Sequence, residues 1–114
     1  MTTTTDQIVI LVRFKLKPNS KEAFFGILKP LFDTMSQEPT FVNSIVHEDL
    51  DNPDDVVFYE IWNCSRETWL AEEATKPYRN APFEQAGPMV IERTLNWLVS
   101  AGEWGSRLTS GKHH

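Results

Sequence analysis

Hydrophobic and polar positions alternate along this chain in a way that marks four strands and two helical segments, and the segment Val56 to Trp62 is the most telling of them. It follows the turn Asp51-Asn52-Pro53-Asp54 and places Val57, Tyr59 and Ile61 on one side, with Val56, Phe58, Glu60 and Trp62 on the other. Neither side reads as a solvent face. Ile8 to Lys17 begins as an unbroken apolar run, Ile8 to Val12, and continues with Phe14 and Leu16 alternating against Arg13, Lys15 and Lys17. Its first half is therefore expected to be covered on both faces. Phe41 to Leu50 reads as a weaker strand, interrupted by Asn43, Ser44, His47, Glu48 and Asp49, and joined to Val56–Trp62 as a hairpin. Arg93 to Ser100 alternates Leu95, Trp97 and Val99 against Thr94, Asn96 and Leu98, which gives a fourth strand.

Helical spacing separates these strands. Phe24, Ile27, Leu28, Leu31 and Met35 recur along a helix opened by Pro18-Asn19-Ser20, with Asn19 as the expected cap and Glu22 placed to reach back to it. Pro30 lies inside this helix and predicts a kink. A short helix starts at Ser65-Arg66-Glu67, carries Trp69 and Leu70 and ends before Pro77; another starts near Pro82 and runs to Gly87-Pro88. The order β-α-β-β-α-β predicts an α+β, ferredoxin-like domain with both helices on one face of a four-stranded antiparallel sheet. The opposite face would stay bare, and an apolar patch beyond a few hundred Å² is more than a monomer usually exposes. A homodimer packed sheet to sheet is the expected consequence. Residues 8–100 form the expected domain, 1–7 a disordered N-terminus and 101–114 a C-terminal extension.

Composition narrows the function classes. The chain has 114 residues, 11 Lys and Arg, 16 Asp and Glu, and a net charge of -5. With its basic residues scattered, it lacks what is needed to neutralise a phosphate backbone, so nucleic-acid binding is not expected. Cys64 is the one cysteine, which excludes an intrachain disulfide and fits a small buried side chain at a strand end in a cytoplasmic protein. No apolar stretch approaches the roughly 18 residues of a membrane span, and the threonine-rich start lacks an apolar signal region. Neither a phosphate loop, nor zinc-ligand spacing, nor a nucleophile elbow is present. The histidines of the tail, His113 and His114, are set aside from any metal argument.

Several pieces, in order, carry a family resemblance: Ile8 to Pro18, Leu28-Lys29-Pro30-Leu31, His47-Glu48-Asp49-Leu50-Asp51-Asn52-Pro53-Asp54, and Tyr59-Glu60-Ile61-Trp62 with Ser65-Arg66-Glu67. Over about Ile8 to Val99 the chain resembles the antibiotic biosynthesis monooxygenases. The resemblance implies a dimeric α+β barrel with a pocket between sheet and helices in each subunit. It also implies oxidation of a quinol or phenolic aromatic molecule by O2 without metal or flavin, although other branches degrade haem or isomerise a sugar phosphate. The polyketide oxygenases use a Trp at the end of the third strand with an Asn four residues before it and a Tyr six after it. Trp62 matches the first, while Phe58 and Thr68 stand in the other two positions. The haem-degrading pattern has an Asn where Val12 stands and a His near Ala81, so it loses its iron ligand here. Lys76-Pro77-Tyr78-Arg79 replaces the family's Ser-Pro-His-Phe, with Tyr78 at the histidine position.

A cofactor-free oxygenase needs a base, a proton donor and a dry pocket. His47, Glu60, Trp62 and Tyr78 are the expected catalytic residues, and Val12, Phe58 and Thr68 the expected pocket residues. Each also has a plainer reading: His47 as a half-exposed strand histidine, Trp62 and Phe58 as core, and Tyr78 as a cap between two short helices. Glu60 is the sharpest, because a carboxylate between Phe58 and Trp62 on an apolar face must find a partner or raise its pKa. Arg13, or a basic residue of a second subunit, is the expected partner. The expected function is a cofactor-independent monooxygenase with O2 and a small aromatic molecule as partners; a non-catalytic binding dimer is the alternative. An isomerase of a small carbonyl or phosphosugar is a third reading, with Arg13 and Arg79 as its candidate anchors.

Overall fold

The computed structural model describes residues 7–105. The expected disorder of the first and last residues therefore falls almost wholly outside the described residues. β1 (Ile8–Leu16), β2 (Phe41–Glu48), β3 (Asp55–Trp62) and β4 (Val90–Leu98) form one antiparallel sheet in the order β2-β3-β1-β4. Between them lie α1 (Lys21–Met35), the single turn α2 (Arg66–Thr68) and α3 (Asn80–Ala86). The ferredoxin-like topology expected from the alternation is the one observed.

The pairing register explains why the alternation was so legible. Val12 faces Phe58 on one side and Leu95 on the other, and Ile10 likewise lies between Glu60 and Trp97. All even-numbered residues of β1 and β3 thus share one face, and Ile8, Ile10, Val12, Phe14, Leu16, Val56, Phe58 and Trp62 are buried there. Against them α1 sets Phe24, Leu28, Leu31 and Met35, four residues on one helical stripe. Aromatic contacts tie the two layers: Phe14 to Phe24 at 5.3 Å between ring centres, and Phe58 edge-on to Phe32 at 5.1 Å. Cys64 is buried just past β3, as expected of a small apolar side chain there.

Three local expectations change. Ser20, not Asn19, is the N-cap of α1; Asn19 instead takes a left-handed conformation with φ 64°, one that asparagine tolerates better than most residues. The last helix begins before Pro82, with a 3₁₀ turn at Pro77–Arg79 leading into α3. The segment after α2 is not regular helix either: Trp69–Glu73 winds as a π-helical turn, closed by the Ala74 N–H donating to the Trp69 carbonyl at 2.9 Å. π-turns re-aim side chains and recur at functional sites. This one and the 3₁₀ turn together set the direction of Trp69 and Arg79.

The other sheet face carries Val57, Tyr59 and Ile61, all partly exposed, and the Ser100–Gly105 segment borders a groove over it with Val9, Ile45 and His47. Trp104 remains 85% exposed.

The β2–β3 turn is held from outside the hairpin. One Asp49 carboxylate oxygen accepts the N–H groups of Asp51 at 2.8 Å and Asn52 at 3.1 Å, while Arg13 bridges Asp49 and Asp55, each at 2.9 Å. The Asp51 N–H first, then Arg13, pulls the Asp49 carboxyl from 3.8 down to about 2. A depressed folded pKa stabilises the fold above the unfolded value and is lost as pH falls through the folded one. Wild-type protein should therefore lose stability between 3.8 and about 2 through this group. Asp49→Asn should be less stable near neutrality but show a shallower loss across that window in acid-unfolding curves; parallel curves would remove Asp49 from the acid response.

Candidate functional site

A cavity of about 280 Å³ lies between the buried sheet face and the helical layer. Its size is at the small end of small-molecule sites, roughly 300–1,000 Å³. Phe14, Phe32, Phe58 and Leu95 line its apolar part, and Trp69, Trp97, Glu60 and Arg79 line the rest. The register places these groups. Glu60 and Trp97 flank Ile10 at one end, and Val56 and Arg93 flank Phe14 two residue pairs further along.

Glu60 projects from β3 into the core and is 7% exposed. Its Oε1 accepts the Trp62 indole N–H at 3.0 Å. Residues two apart on a strand share a face, so this bond follows directly from the Glu-Ile-Trp spacing. Burial pushes the Glu60 carboxyl above the ordinary carboxylate range, and the Trp62 bond and the Arg79 charge offset part of that shift. Trp62 is fully buried and joins an edge-on file of rings: Phe41 at 5.1 Å, Trp69 at 6.0 Å, and Trp69 in turn to Trp97 at 5.6 Å.

Arg79 is 5% exposed. Its guanidinium lies 5.0 Å from the centre of the Trp69 ring and 5.9 Å from that of Trp62, geometry that favours a cation over an aromatic face. Its Nε donates to the Glu73 carbonyl at 2.7 Å, while its Nη2 is buried without a hydrogen-bond partner. The Trp69 Nε1 is in the same state. Two donors in the wall of one cavity are thus left unmet, which is uncommon for buried polar groups.

Structure and sequence expectations meet at some residues and part at others. Val12, Phe58 and Glu60 line the cavity, with Trp62 directly behind Glu60. His47 pairs with Val57 and so lies on the opposite sheet face, where it is exposed. The Tyr78 hydroxyl donates to the Glu38 carboxylate at 2.8 Å rather than entering the cavity; burial, then this bond, pushes the phenol up to about 12. Lys76 donates to the same carboxylate at 2.9 Å and, with Tyr78, holds it below the ordinary range. Thr68 closes the first turn after β3, its N–H and hydroxyl bonded to Ser65, and does not line the cavity. Arg13 is not the partner of Glu60, being committed to Asp49 and Asp55 on the other side of the sheet. Arg79 and Trp69 were missed as a pair because irregular turns place them, and irregular turns leave no period in a sequence. Trp97 shares the parity of Leu95 along β4, which puts both on the cavity face.

Among the described residues no group of His, Cys, Asp and Glu is arranged to hold a metal, and no helix is long and apolar enough to cross a membrane.

These features belong to a recognisable class of α+β proteins. The profile of the family described as "Antibiotic biosynthesis monooxygenase" matches residues 7–82, and the chain belongs to that family. Solved structures share its fold. A protein of Mycobacterium tuberculosis superposes with a TM-score of 0.75 at 17% identity, over 88% of this chain and 100% of that one. A cofactor-independent oxygenase of Streptomyces nogalater, solved as a point variant, gives a TM-score of 0.74 at 13% identity, over 88% of this chain and 98% of that one. A protein of Shewanella oneidensis gives 0.71 at 22% identity, over 82% and 90%. No curated protein matches in sequence.

The raised Glu60 pKa has a sign that can be checked. A folded pKa above the unfolded one contributes stability at low pH that is lost as pH rises through the folded value. Glu60→Gln keeps an acceptor for the Trp62 N–H and removes the charge. It should raise the melting temperature by about 5 °C at pH 8, the shift of about 1 kcal/mol in a domain this size, and leave it unchanged at pH 4. A variant less stable than wild type at pH 8 would show that the Glu60 charge is compensated.

Proposed function

We propose that the protein is a homodimeric, cofactor-independent monooxygenase that oxidises a quinol or phenolic aromatic molecule with O2, and that Glu60 moves the proton. The observation carrying this reading is one buried carboxyl, hydrogen-bonded to Trp62, in the wall of an aromatic cavity. A carboxyl whose pKa is raised by burial is a better match to a phenol than an exposed one, so proton transfer to it costs less. The Glu60 carboxylate accepts the phenolic proton, and the resulting electron-rich anion passes one electron to O2. Superoxide and the substrate radical then join through a new C–O bond. Glu60 returns its proton to the peroxide anion. The ring carbon loses its own hydrogen as a proton while the O–O bond breaks, which leaves a quinone and one water. The walls of Phe14, Phe58, Trp69 and Trp97 exclude bulk water from this sequence.

Trp62 acts in this reading through Glu60, by fixing the carboxyl's orientation. Phe58 and Val12 shape the cavity. His47 and Tyr78 have no part in it. The dimer would use the sheet face of Tyr59 and Ile61, opposite the cavity, so each subunit keeps its own site.

A second reading, a binding dimer without turnover, is favoured by one observation. Phe58 and Thr68 stand where the polyketide oxygenases place their polar partners, and Thr68 is engaged in a helix cap. Oxygen uptake separates the two. With a panel of hydroquinones and a blank for autoxidation, wild-type protein should give saturable uptake, and Glu60→Gln should lower kcat by roughly 100-fold, the lower range for loss of a general base. Trp62→Phe should lower kcat less and shift its pH profile upward, since Glu60 loses a bond that stabilises its charged form. Uptake no faster than the blank leaves the binding reading standing.

The dimer is tested separately. Light scattering should give twice the 13.1 kDa chain mass, and Ile61→Glu should give the chain mass itself. Wild-type protein at the single-chain mass would refute the sheet-to-sheet dimer.

A further inference from the structure

We infer that the ligand of this cavity is an aromatic carboxylate, held by its two oxygens on the Nη2 of Arg79 and the Nε1 of Trp69. This rests on the reading of the cavity as the ligand site and does not depend on the oxygen chemistry run there. Both nitrogens are buried without a partner on residues that line the cavity, while the Arg79 Nε is spent on the Glu73 carbonyl. Leaving a donor buried and unmet is costly, and the cost is greater for a charged one. An acceptor supplied by the ligand removes both deficits at once.

Charge points the same way. Arg79 cannot be deprotonated in a protein, and its carboxylate neighbour Glu60 already accepts from Trp62 rather than from it. Glu73, the other buried carboxylate nearby, accepts from the Thr40 hydroxyl on Oε2 at 3.4 Å, and its Oε1, without a hydrogen-bond partner, lies 3.9 Å from the Lys76 ammonium rather than bonding Arg79. The guanidinium is therefore flanked by rings rather than by a bonded anion, at 5.0 Å from Trp69, 5.8 Å from Tyr78 and 5.9 Å from Trp62. A planar carboxylate matches a guanidinium edge better than any neutral acceptor. The chain as a whole carries a net charge of -5, so its overall field repels anions. Any preference for an anion must arise within the cavity, where Arg93 beside Phe14 is a second guanidinium, and loss of the preference in Arg79→Met separates the two.

The rest of the cavity sets the body of the ligand. Phe14, Phe32, Phe58 and Leu95 form its apolar end. A volume of about 280 Å³ suits one or two fused rings.

Calorimetric titration of the full-length protein at pH 7 without oxygen tests this with three probes of one size: 2-naphthoate, 2-naphthol and naphthalene-2-methanol. Naphthoate should bind at least roughly tenfold tighter than the methanol, the worth of one hydrogen bond to a charged group. Arg79→Met should abolish that preference. Trp69→Phe keeps the ring and removes only the N–H, so it should stay folded and reduce the preference several-fold. Equal binding of naphthoate and the methanol, or a preference untouched by Trp69→Phe, overturns the assignment. Tighter binding of naphthol than of naphthoate overturns it in favour of a phenolic oxygen on the same donors. Because no turnover is needed, absent oxygen uptake alongside a naphthoate preference would sink the oxygenase reading alone.

Discussion

Burying three ionisable side chains, Glu60, Glu73 and Arg79, beside an apolar core is the constraint around which this molecule is arranged. Glu60 and Arg79 both lie in the hydrophobic layer, 7% and 5% exposed, and neither forms a salt bridge with the other. Desolvating such groups costs several kcal/mol each unless hydrogen bonds and charge compensate. Compensation here is partial and specific. One indole N–H holds Glu60, one backbone carbonyl holds Arg79, and three aromatic faces surround the guanidinium. A core built for stability alone would replace both by aliphatic side chains. Both line the cavity, and buried ionisable groups in a cleft mark a candidate functional site.

The helical layer is shaped to make that possible. Arg79 reaches the core because a 3₁₀ turn at Pro77–Arg79 follows a π-turn at Trp69–Glu73. The 3₁₀ turn is anchored at its outer edge by Glu38, just past α1, which takes Lys76 at 2.9 Å and Tyr78 at 2.8 Å. Tyr78 and Arg79 are adjacent in sequence and point to different tasks: the phenol latches the segment outside, and the guanidinium enters the cavity. The latch keeps the Tyr78 hydroxyl out of the cavity, with its phenol pushed up to about 12 by burial and by this bond.

How much of this was legible in the sequence follows from which residues obey a period. The strands do, so the sheet, its order and the buried face were readable from alternation in β1, β3 and β4. Glu60 was readable as an exception to the same alternation, and its environment is the one that exception implied. His47 shows the cost of weighing residue type before parity. The hairpin through Asp51 to Asp54 pairs Glu48 with Val56 and hence His47 with Val57, on the face away from the helices. Arg79 was legible only as a candidate anchor for a phosphosugar and its pairing with Trp69 was not, because π and 3₁₀ turns shift side-chain direction by a fraction of a turn that no repeat records. Partner choice was equally hidden: Arg13 sits on the correct strand for Glu60 but on its other face.

Membership of the antibiotic biosynthesis monooxygenase family fixes the frame and not the chemistry, since one fold carries many sites. What differs in this chain is where polarity enters the cavity. With Phe58 and Thr68 in place of polar partners, the polar groups come from Glu60 on β3 and from Trp69 and Arg79 in the turns. Glu60 lies across Ile10 from Trp97, with Trp62 behind it, whereas Phe14 and Phe58 line the cavity further along, where Arg93 is the neighbour of Phe14 on β4. Polar groups fixed at set points in an apolar wall can hold a small molecule in one geometry, and a held geometry replaces a chance encounter.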